Sequence, residues 1–432
     1  MRIAVIGAGV SGLLAARLLA TRHEVMLFEA SDYIGGHANT VDVELDGREF
    51  SVDTGFMVFN DRTYPNFQNL LKYLNLNSQA SDMSFSVTCE RTGWEYQGSS
   101  FSGLFSQKIN MVRPTFWGML TDILRFNSRA ISALRDVNSQ KSLQEFLNEG
   151  NYGSTFRERY LLPMTAAIWS SPHEAILNFS AQFLLRFMHN HGLLQLRNRP
   201  RWQTIPGGSR RYLLALANGM NGNIRLNCPV RRVLRTPNHV MVEFRDDRSE
   251  QFDAVVLATH ADTSLKMLAE PSEEEEKILS AFPYQENRAV LHTDEKWLPS
   301  RRSAWASWNY LIPKDSESTC VTYDLTRLQR IDSPRRLLVT LNPPRPIDQN
   351  KCLREFVYHH PLFTIEGIDA QRRLPEINGV QKTYYCGAYW RNGFHEDGIV
   401  SALAVAREFG IGLESCTAAC IAESSHIVEA AQ

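Results

Sequence analysis

The sequence lacks a CxxC pair, a long apolar run and an excess of either charge, and each absence excludes a class of function. Its seven cysteines (Cys89, Cys228, Cys320, Cys352, Cys386, Cys416, Cys420) are odd in number and scattered. That argues against a disulfide framework and a zinc cage, and it fits a reducing compartment. No stretch approaches the ~18 apolar residues of a spanning helix. A strand pattern starting at Arg2 leaves no room for a secretory leader, so a soluble, cytoplasmic protein is expected. Lys and Arg total 46 against 47 Asp and Glu, a net charge of −1. A protein held to nucleic acid by phosphate contacts would show a basic excess, so no nucleic-acid partner is expected. There is no internal repeat and no low-complexity segment.

What is present is the apolar content of a large core, 43% hydrophobic residues in a chain of 432, enough for two or three domains at roughly 150 residues each. Residues 2–6 read as a short buried strand, followed by Gly7-Ala-Gly9-Val-Ser-Gly12 and a helical stretch from Leu13 to Ala20. Val25 to Phe28 is a second strand ending at Glu29, which completes a βαβ unit. Short strands and turns run to Gly98, and residues 115–150 and 155–195 read as helical. A second αβ signature follows. Leu213 to Ala217 is helical, and strands are predicted at 224–226, 230–234, 240–244 and 252–258. Ser272 and Glu275 have capping-box spacing at the start of an acidic, solvated helix. Residues 287–342 alternate like an antiparallel sheet, Thr383 to Cys386 is a strand, and Gly398 to Phe409 a helix.

Gly7, Gly9 and Gly12 stand at GxGxxG spacing between a strand and a helix. The first permits the turn, the second lets a pyrophosphate approach the backbone, and the third lets helix and strand pack. Unpaired N–H groups at the helix start face the phosphates. Glu29, at the end of the second strand, stands where a carboxylate accepts from ribose hydroxyls. The alternative is a glycine-rich turn beside an ordinary surface glutamate.

Gly35-Gly36-His37 and Asp53-Thr-Gly55 follow in order, then Pro206-Gly207-Gly208, Val230 to Val233, Val256 to Thr259, and Cys386-Gly387-Ala-Tyr389 through Gly398. In this order the chain resembles the flavin amine oxidoreductase superfamily over nearly its whole length. The resemblance implies an α/β fold, in which a discontinuous Rossmann-like FAD-binding domain carries an inserted mixed α+β substrate domain. The FAD-binding domain would comprise 1–80, 200–265 and 380–415, the substrate domain 81–199 and 266–379, and 416–432 a tail. It also implies FAD contacts at Gly7, Gly9, Ser11, Gly12, Glu29, Gly35, Gly36, His37, Thr54, Gly55, Val230, Gly387, Gly398 and Ile399. A helix starting near Gly398 would aim its N-terminal dipole at the flavin N1–C2=O edge, favouring the anionic reduced flavin. Some members attach FAD through a cysteine, but Cys386 stands later than theirs and reads as a packed strand residue, so the FAD is expected to be non-covalent.

His395, Glu396 and Asp397 fall together between Gly393 and Gly398, as a general base or substrate anchor, or as caps that hold the turn. No second ligand cluster accompanies them, so no metal is expected. Amine-oxidising members of the family carry a lysine in a substrate-domain strand, whereas the corresponding Asn287-Arg-Ala-Val-Leu-His292 has none. A narrower resemblance rests on Gly393 to Gly398, Leu291-His-Thr-Asp294, Ala304 to Tyr310 and Thr340-Leu-Asn-Pro343. It is to flavoproteins encoded with, or fused to, cyclopropane-fatty-acid-synthase-like methyltransferases. It implies a lipid acyl substrate and a methyltransferase partner. Phe183 to Leu196, running into Arg197, Arg199 and Arg201, reads either as a peripheral contact with the inner membrane face or as a core helix before a solvated loop. The expected activity is an FAD-dependent oxidoreductase moving a hydride from an unsaturated or methyl-branched acyl chain, by desaturation or isomerisation, onto flavin N5. The rivals are an amine oxidase and a non-catalytic flavoprotein scaffolding a methyltransferase.

Overall fold

A computed structural model of the chain describes residues 1–136, 141–195, 197–220, 222–314 and 319–413. β1 (Arg2–Ile6), α1 (Val10–Leu19) and β2 (Glu24–Phe28) form the opening βαβ unit, with β1 and β2 in parallel register from Arg2↔Glu24 to Ile6↔Phe28. The other edge of β1 is taken by Ala254–Leu257, which in turn pairs with Thr383–Tyr385, and Ile224–Arg225 adds outside β2. Three distant stretches of chain thus build one five-stranded parallel sheet.

Alternation along these strands places successive side chains in two separate cores. Ile3, Val5, Val25, Leu27 and Val256 pack against α1 and the helices Pro65–Tyr73, Arg210–Ala217 and His395–Glu408. Ala4, Ile6, Met26, Phe28 and Val255 pack against an antiparallel sheet of Val230–Arg235, Val240–Phe244 and Ser249–Phe252. Glu275 forms the expected capping box with Ser272, yet it is buried rather than solvated. Its carboxylate holds the Arg235 guanidinium and the Tyr385 hydroxyl (2.6 Å), tying the helix to the last strand of the parallel sheet.

The second layer is a seven-stranded sheet in the order Cys352–Pro361, Tyr284–His292, Leu338–Leu341, Cys320–Asp324, Trp308–Ile312, Phe85–Cys89, Trp94–Gln97. It is antiparallel except where Trp308–Ile312 runs parallel to Phe85–Cys89. Trp305 lies before the strand that Trp308 opens, in the turn after Arg302–Ala304. The helices Pro114–Ala133, Leu143–Gly150, Leu162–Trp169 and Ala181–Asn190 back this sheet in a shared core. Leu184, Leu185, Phe187 and Met188 are buried there, so the apolar side of the Ala181–Asn190 helix is interior packing and not a membrane face.

The last helix starts at His395, ahead of the expected Gly398, so His395, Glu396 and Asp397 form its first turn rather than a loop. No helix among the described residues is long and apolar enough to cross a membrane. Cys416, Cys420 and the expected tail at 416–432 lie outside the described residues.

Candidate active site

At the β1–α1 turn each glycine answers to a different neighbour. Gly7 sits at φ +101°, and a Cβ there would come within 2.8 Å of the Ala258 carbonyl oxygen. At Gly12 a Cβ would overlap the Gly7 carbonyl and lie 2.8 Å from the Ala258 methyl, so strand and helix close only around glycine. Gly9 faces open space, and its nearest counterpart is Gly36, where a Cβ would lie 3.5 Å from the Gly9 Cα. Gly35 N–H donates to Ala8 O (2.8 Å) and draws the second glycine loop over the first. Between them lies a backbone cradle at the start of α1. At its lip Glu29 accepts from Ala8 N–H (2.7 Å) and Ser31 N–H (2.9 Å).

The cradle is one end of a cavity of about 630 Å³. Gly7, Gly9, Glu29, Gly35, Gly36, His37, Thr54, Gly55, Gly387 and His395 line it. Ser11, Gly12, Val230, Gly398, Ile399, Glu396 and Asp397 are not among its lining residues. Gly398 has a packing reason, since a Cβ there would lie 2.8 Å from Ser11 Oγ and 2.9 Å from a Val10 methyl. The last helix therefore leans directly on α1. Cys386 is fully buried outside the lining, and burial pushes its thiol up to about 12.

The carboxylates of the His395–Asp397 trio are turned away from the cavity. Glu396 accepts from Asn66 N–H (3.0 Å), Asn66 Nδ2 (2.7 Å) and Phe67 N–H (2.9 Å), capping the helix that starts at Pro65. Asp397 accepts from Phe394 N–H (2.9 Å) and Asn392 N–H (3.2 Å), and burial raises its carboxyl to about 6. The physical reason is the helix start at His395, which points both side chains at backbone N–H groups that need acceptors. His395 stacks on Phe56 (3.7 Å between centroids) with Nε2 2.5 Å from the Tyr212 hydroxyl, and burial pushes it down to about 3.

Sequence reasoning missed a group of imidazoles at the cradle end. The ring centroid of His37 lies 5.2 Å from that of His360, 5.7 Å from His260 and 5.2 Å from Tyr358. His37 Nε2 is buried with no hydrogen-bond partner. Burial holds His37 well below the ordinary imidazole value, and takes His360 down to about 4. Tyr358 OH lies 2.8 Å from Thr54 Oγ1, and His360 Nδ1 2.9 Å from Asn287 Nδ2. The run Tyr358-His-His360 was the available signal, but only the pairing of Cys352–Pro361 with Tyr284–His292 brings it to His37.

Away from the cradle the wall becomes apolar, with Met83, Phe85, Met164, Ile168, Phe187 and Leu341. Among the described residues no lysine and no aspartate line the cavity; Glu29 is its one carboxylate and Arg199 its one guanidinium. Among the described residues, too, no group of three or more His, Cys, Asp or Glu is arranged to hold a metal.

The model of the family described as flavin containing amine oxidoreductase matches residues 10–332, about three quarters of the chain. The chain belongs to that family. It is 26% identical over 324 residues to a carotenoid phi-ring synthase of Streptomyces griseus, covering 69% of this chain and 59% of the relative. It is 25% identical over 251 residues to a protein of Mycobacterium tuberculosis named as a flavin-containing monoamine oxidase, AofH, covering 54% of this chain and 51% of the other. The chain therefore spans between half and three fifths of these relatives' length. Among solved structures, the fold is shared with cyclohexylamine oxidase from Brevibacterium oxydans (TM-score 0.68, 15% identity, 95% of this chain and 99% of that one). It is likewise shared with a fatty acid isomerase from P. acnes that produces CLA (TM-score 0.67, 16% identity, 94% and 98%). As a member of this flavin-containing family the chain takes FAD as its cofactor. The cradle fits that group: open space at Gly9, the unpartnered Nε2 of His37 and the carboxylate of Glu29 supply room, a polar contact and a ribose acceptor.

Proposed function

We propose that the enzyme acts on an unsaturated or methyl-branched lipid acyl chain, by desaturation or isomerisation, with FAD held non-covalently. The observation that carries the reading is the composition of the substrate end of the cavity. Its walls are mainly thioether, aromatic and aliphatic, with the hydroxyls of Ser84, Ser99 and Ser170, and among the described residues it has no lysine and no carboxylate. An ammonium entering such a site loses its hydration without gaining a counter-charge, whereas an acyl chain gains by burial. Arg199 is exposed and hydrogen-bonded to Gln195 O (2.9 Å), and its charge is felt at the buried Tyr160 hydroxyl. It fits the anionic end of such a chain at the entrance. The carotenoid named in one relative is also a long apolar molecule, in line with this choice.

FAD held between Gly9 and Gly36, beside Glu29 and His37, would supply the two-electron acceptor for a substrate hydride. The protein aligns the chain and excludes water. Desaturation also releases a proton from the neighbouring carbon. With Glu396 and Asp397 engaged as caps, the neutral imidazole of His191, which stacks on Phe187 of the apolar wall with its Nε2 unpartnered, is the lining group suited to accept it.

The test is an anaerobic titration of the yellow protein, followed by visible absorbance. Phospholipids with unsaturated chains should bleach the flavin on desaturation, or yield isomerised chains with the flavin left oxidised, and simple amines should do neither. Bleaching by amines alone would establish the amine-oxidase rival. A flavin that neither class reduces, in a protein on which a methyltransferase depends, would establish the scaffold.

A further inference from the structure

Seven of the fourteen large apolar side chains left exposed among the described residues lie between positions 101 and 131. Trp117, Leu124 and Ile131 are seven apart on the Pro114–Ala133 helix, which puts all three on one face, opposite the buried Phe116, Met119 and Phe126. Phe101 (75% exposed) precedes that helix in the short turn Phe101–Leu104, and Val112 (73% exposed) in the connection between them. The rings of Phe101, Phe105 and Trp117 form one continuous contact, with centroids 4.8 Å and 6.0 Å apart. Trp117 Nε1 donates to Met111 O (2.8 Å), so the half-exposed indole has its polar atom satisfied by the protein.

Two further observations say what covers this face. Positions 101–136 hold five basic side chains and two acids, and one of those acids, Asp122, is buried beneath Arg125. Lys108 and Arg135 are exposed, with no ion pair among the described residues. The face also adjoins the cavity, for Gly98 and Ser99 are exposed members of its lining, and Ser100 caps the turn that carries Phe101. An apolar surface with a tryptophan, flanked by exposed cations and set at the entrance of an apolar cavity, matches the boundary layer of an anionic bilayer.

We infer that residues 101–131 dock the protein on the surface of an anionic lipid bilayer, with the cavity entrance at Gly98–Ser99 facing the headgroups. This goes beyond the choice of substrate, since docking is measured without turnover. Flotation of the FAD-loaded protein would be compared on vesicles of phosphatidylcholine alone and of phosphatidylcholine mixed with phosphatidylglycerol. The mixed vesicles should carry the protein and the neutral ones much less of it. Trp117→Gln with Leu124→Gln should lower partitioning roughly tenfold or more, and Lys108→Glu with Arg135→Glu should abolish the preference for the anionic mixture. Leu214→Gln, an exposed apolar position elsewhere, should change nothing, and all variants should keep the wild-type flavin spectrum. The inference is overturned if neither vesicle binds, if the Trp117/Leu124 variant floats like wild type, or if that variant merely turns a dimer into a monomer. A protein that docks but oxidises no acyl chain would leave docking standing and remove the acyl-chain reading.

Discussion

Glu396→Ala separates the two roles that a buried carboxylate near a cofactor site can take. The carboxylate accepts three hydrogen bonds, two of them from the backbone N–H groups of Asn66 and Phe67 at the start of a helix. Alanine leaves both N–H groups without an acceptor, that of Phe67 buried and that of Asn66 half-buried, and Glu396 is only 8% exposed, so water does not readily replace it. A lost cap is the stranding of these same donors, so at about 1–3 kcal/mol for each of the two an overall loss of about 4 kcal/mol is expected. With an unfolding entropy of about 2.1 cal/mol/K per residue, the melting temperature should fall by about 4–5 °C. Glu396→Gln keeps an acceptor oxygen and should lose about half as much. Thermal unfolding followed by circular dichroism gives the stability. Stopped-flow flavin reduction well below the transition gives the rate, which should stay within a few-fold of wild type. A rate reduced by a hundredfold or more at unchanged melting temperature would refute the capping assignment and return Glu396 to the chemistry.

The other expectations are more direct. Gly9→Val should fold and fail to retain FAD, because its Cβ enters open space in the cradle, whereas Gly12→Ala should fail to fold, because its Cβ overlaps the Gly7 carbonyl; flavin content and soluble yield distinguish them. Glu29→Ala should lower FAD retention by roughly a hundredfold, as expected for losing charge-assisted ribose contacts, and unchanged cofactor content would remove that assignment. Stability should fall on acidification from pH 7 to 5. The buried His191, His292 and His395 and the half-buried His360 have folded values of about 4, 4, 3 and 4, below the ordinary 6.5, so their contribution is present above pH 6.5 and lost as pH falls toward those values. Each loses about 2 kcal/mol over this interval. Asp53 and Asp397, raised to about 6, act in the opposite sense and gain about 1 kcal/mol each as pH falls through that value. Denaturant midpoints at the two pH values check the net sign, which should follow the histidines.

The fold class is legible because its signals are local. A buried strand, three spaced glycines and an acid at the end of the next strand all fall between Arg2 and Glu29, and each is forced by sterics that a sequence displays. The placement of His395, Glu396 and Asp397 in a loop fails for a local reason too. Gly398 reads as a helix start, yet the glycine serves the contact with Ser11 and Val10, and that contact joins the last helix of the fold to the first. Glu275 reads as a solvated acid because its neighbours are glutamates, and nothing near it announces Arg235 or Tyr385. The imidazole group is hidden in the same way, since His37, His260 and His360 meet only through sheet pairing. Local spacing exposes turns and caps, and long-range pairing decides which polar groups share a cavity.

The parallel sheet carries a consequence for how the protein is made. Its strands, in spatial order, come from residues 224–225, 24–28, 2–6, 254–257 and 383–385. During synthesis β1 and β2 emerge early but wait through about half of the chain for Ile224–Arg225 and Ala254–Leu257, and the helix bracing α1 begins only at His395. Until then the strand edges are open and the glycine cradle lacks its buttress. Such long-range closure is slow and leaves sticky intermediates. A glycine cradle that is complete only once His395–Glu408 leans on α1 would take up FAD late, so flavin content would report that the chain has folded as far as that helix.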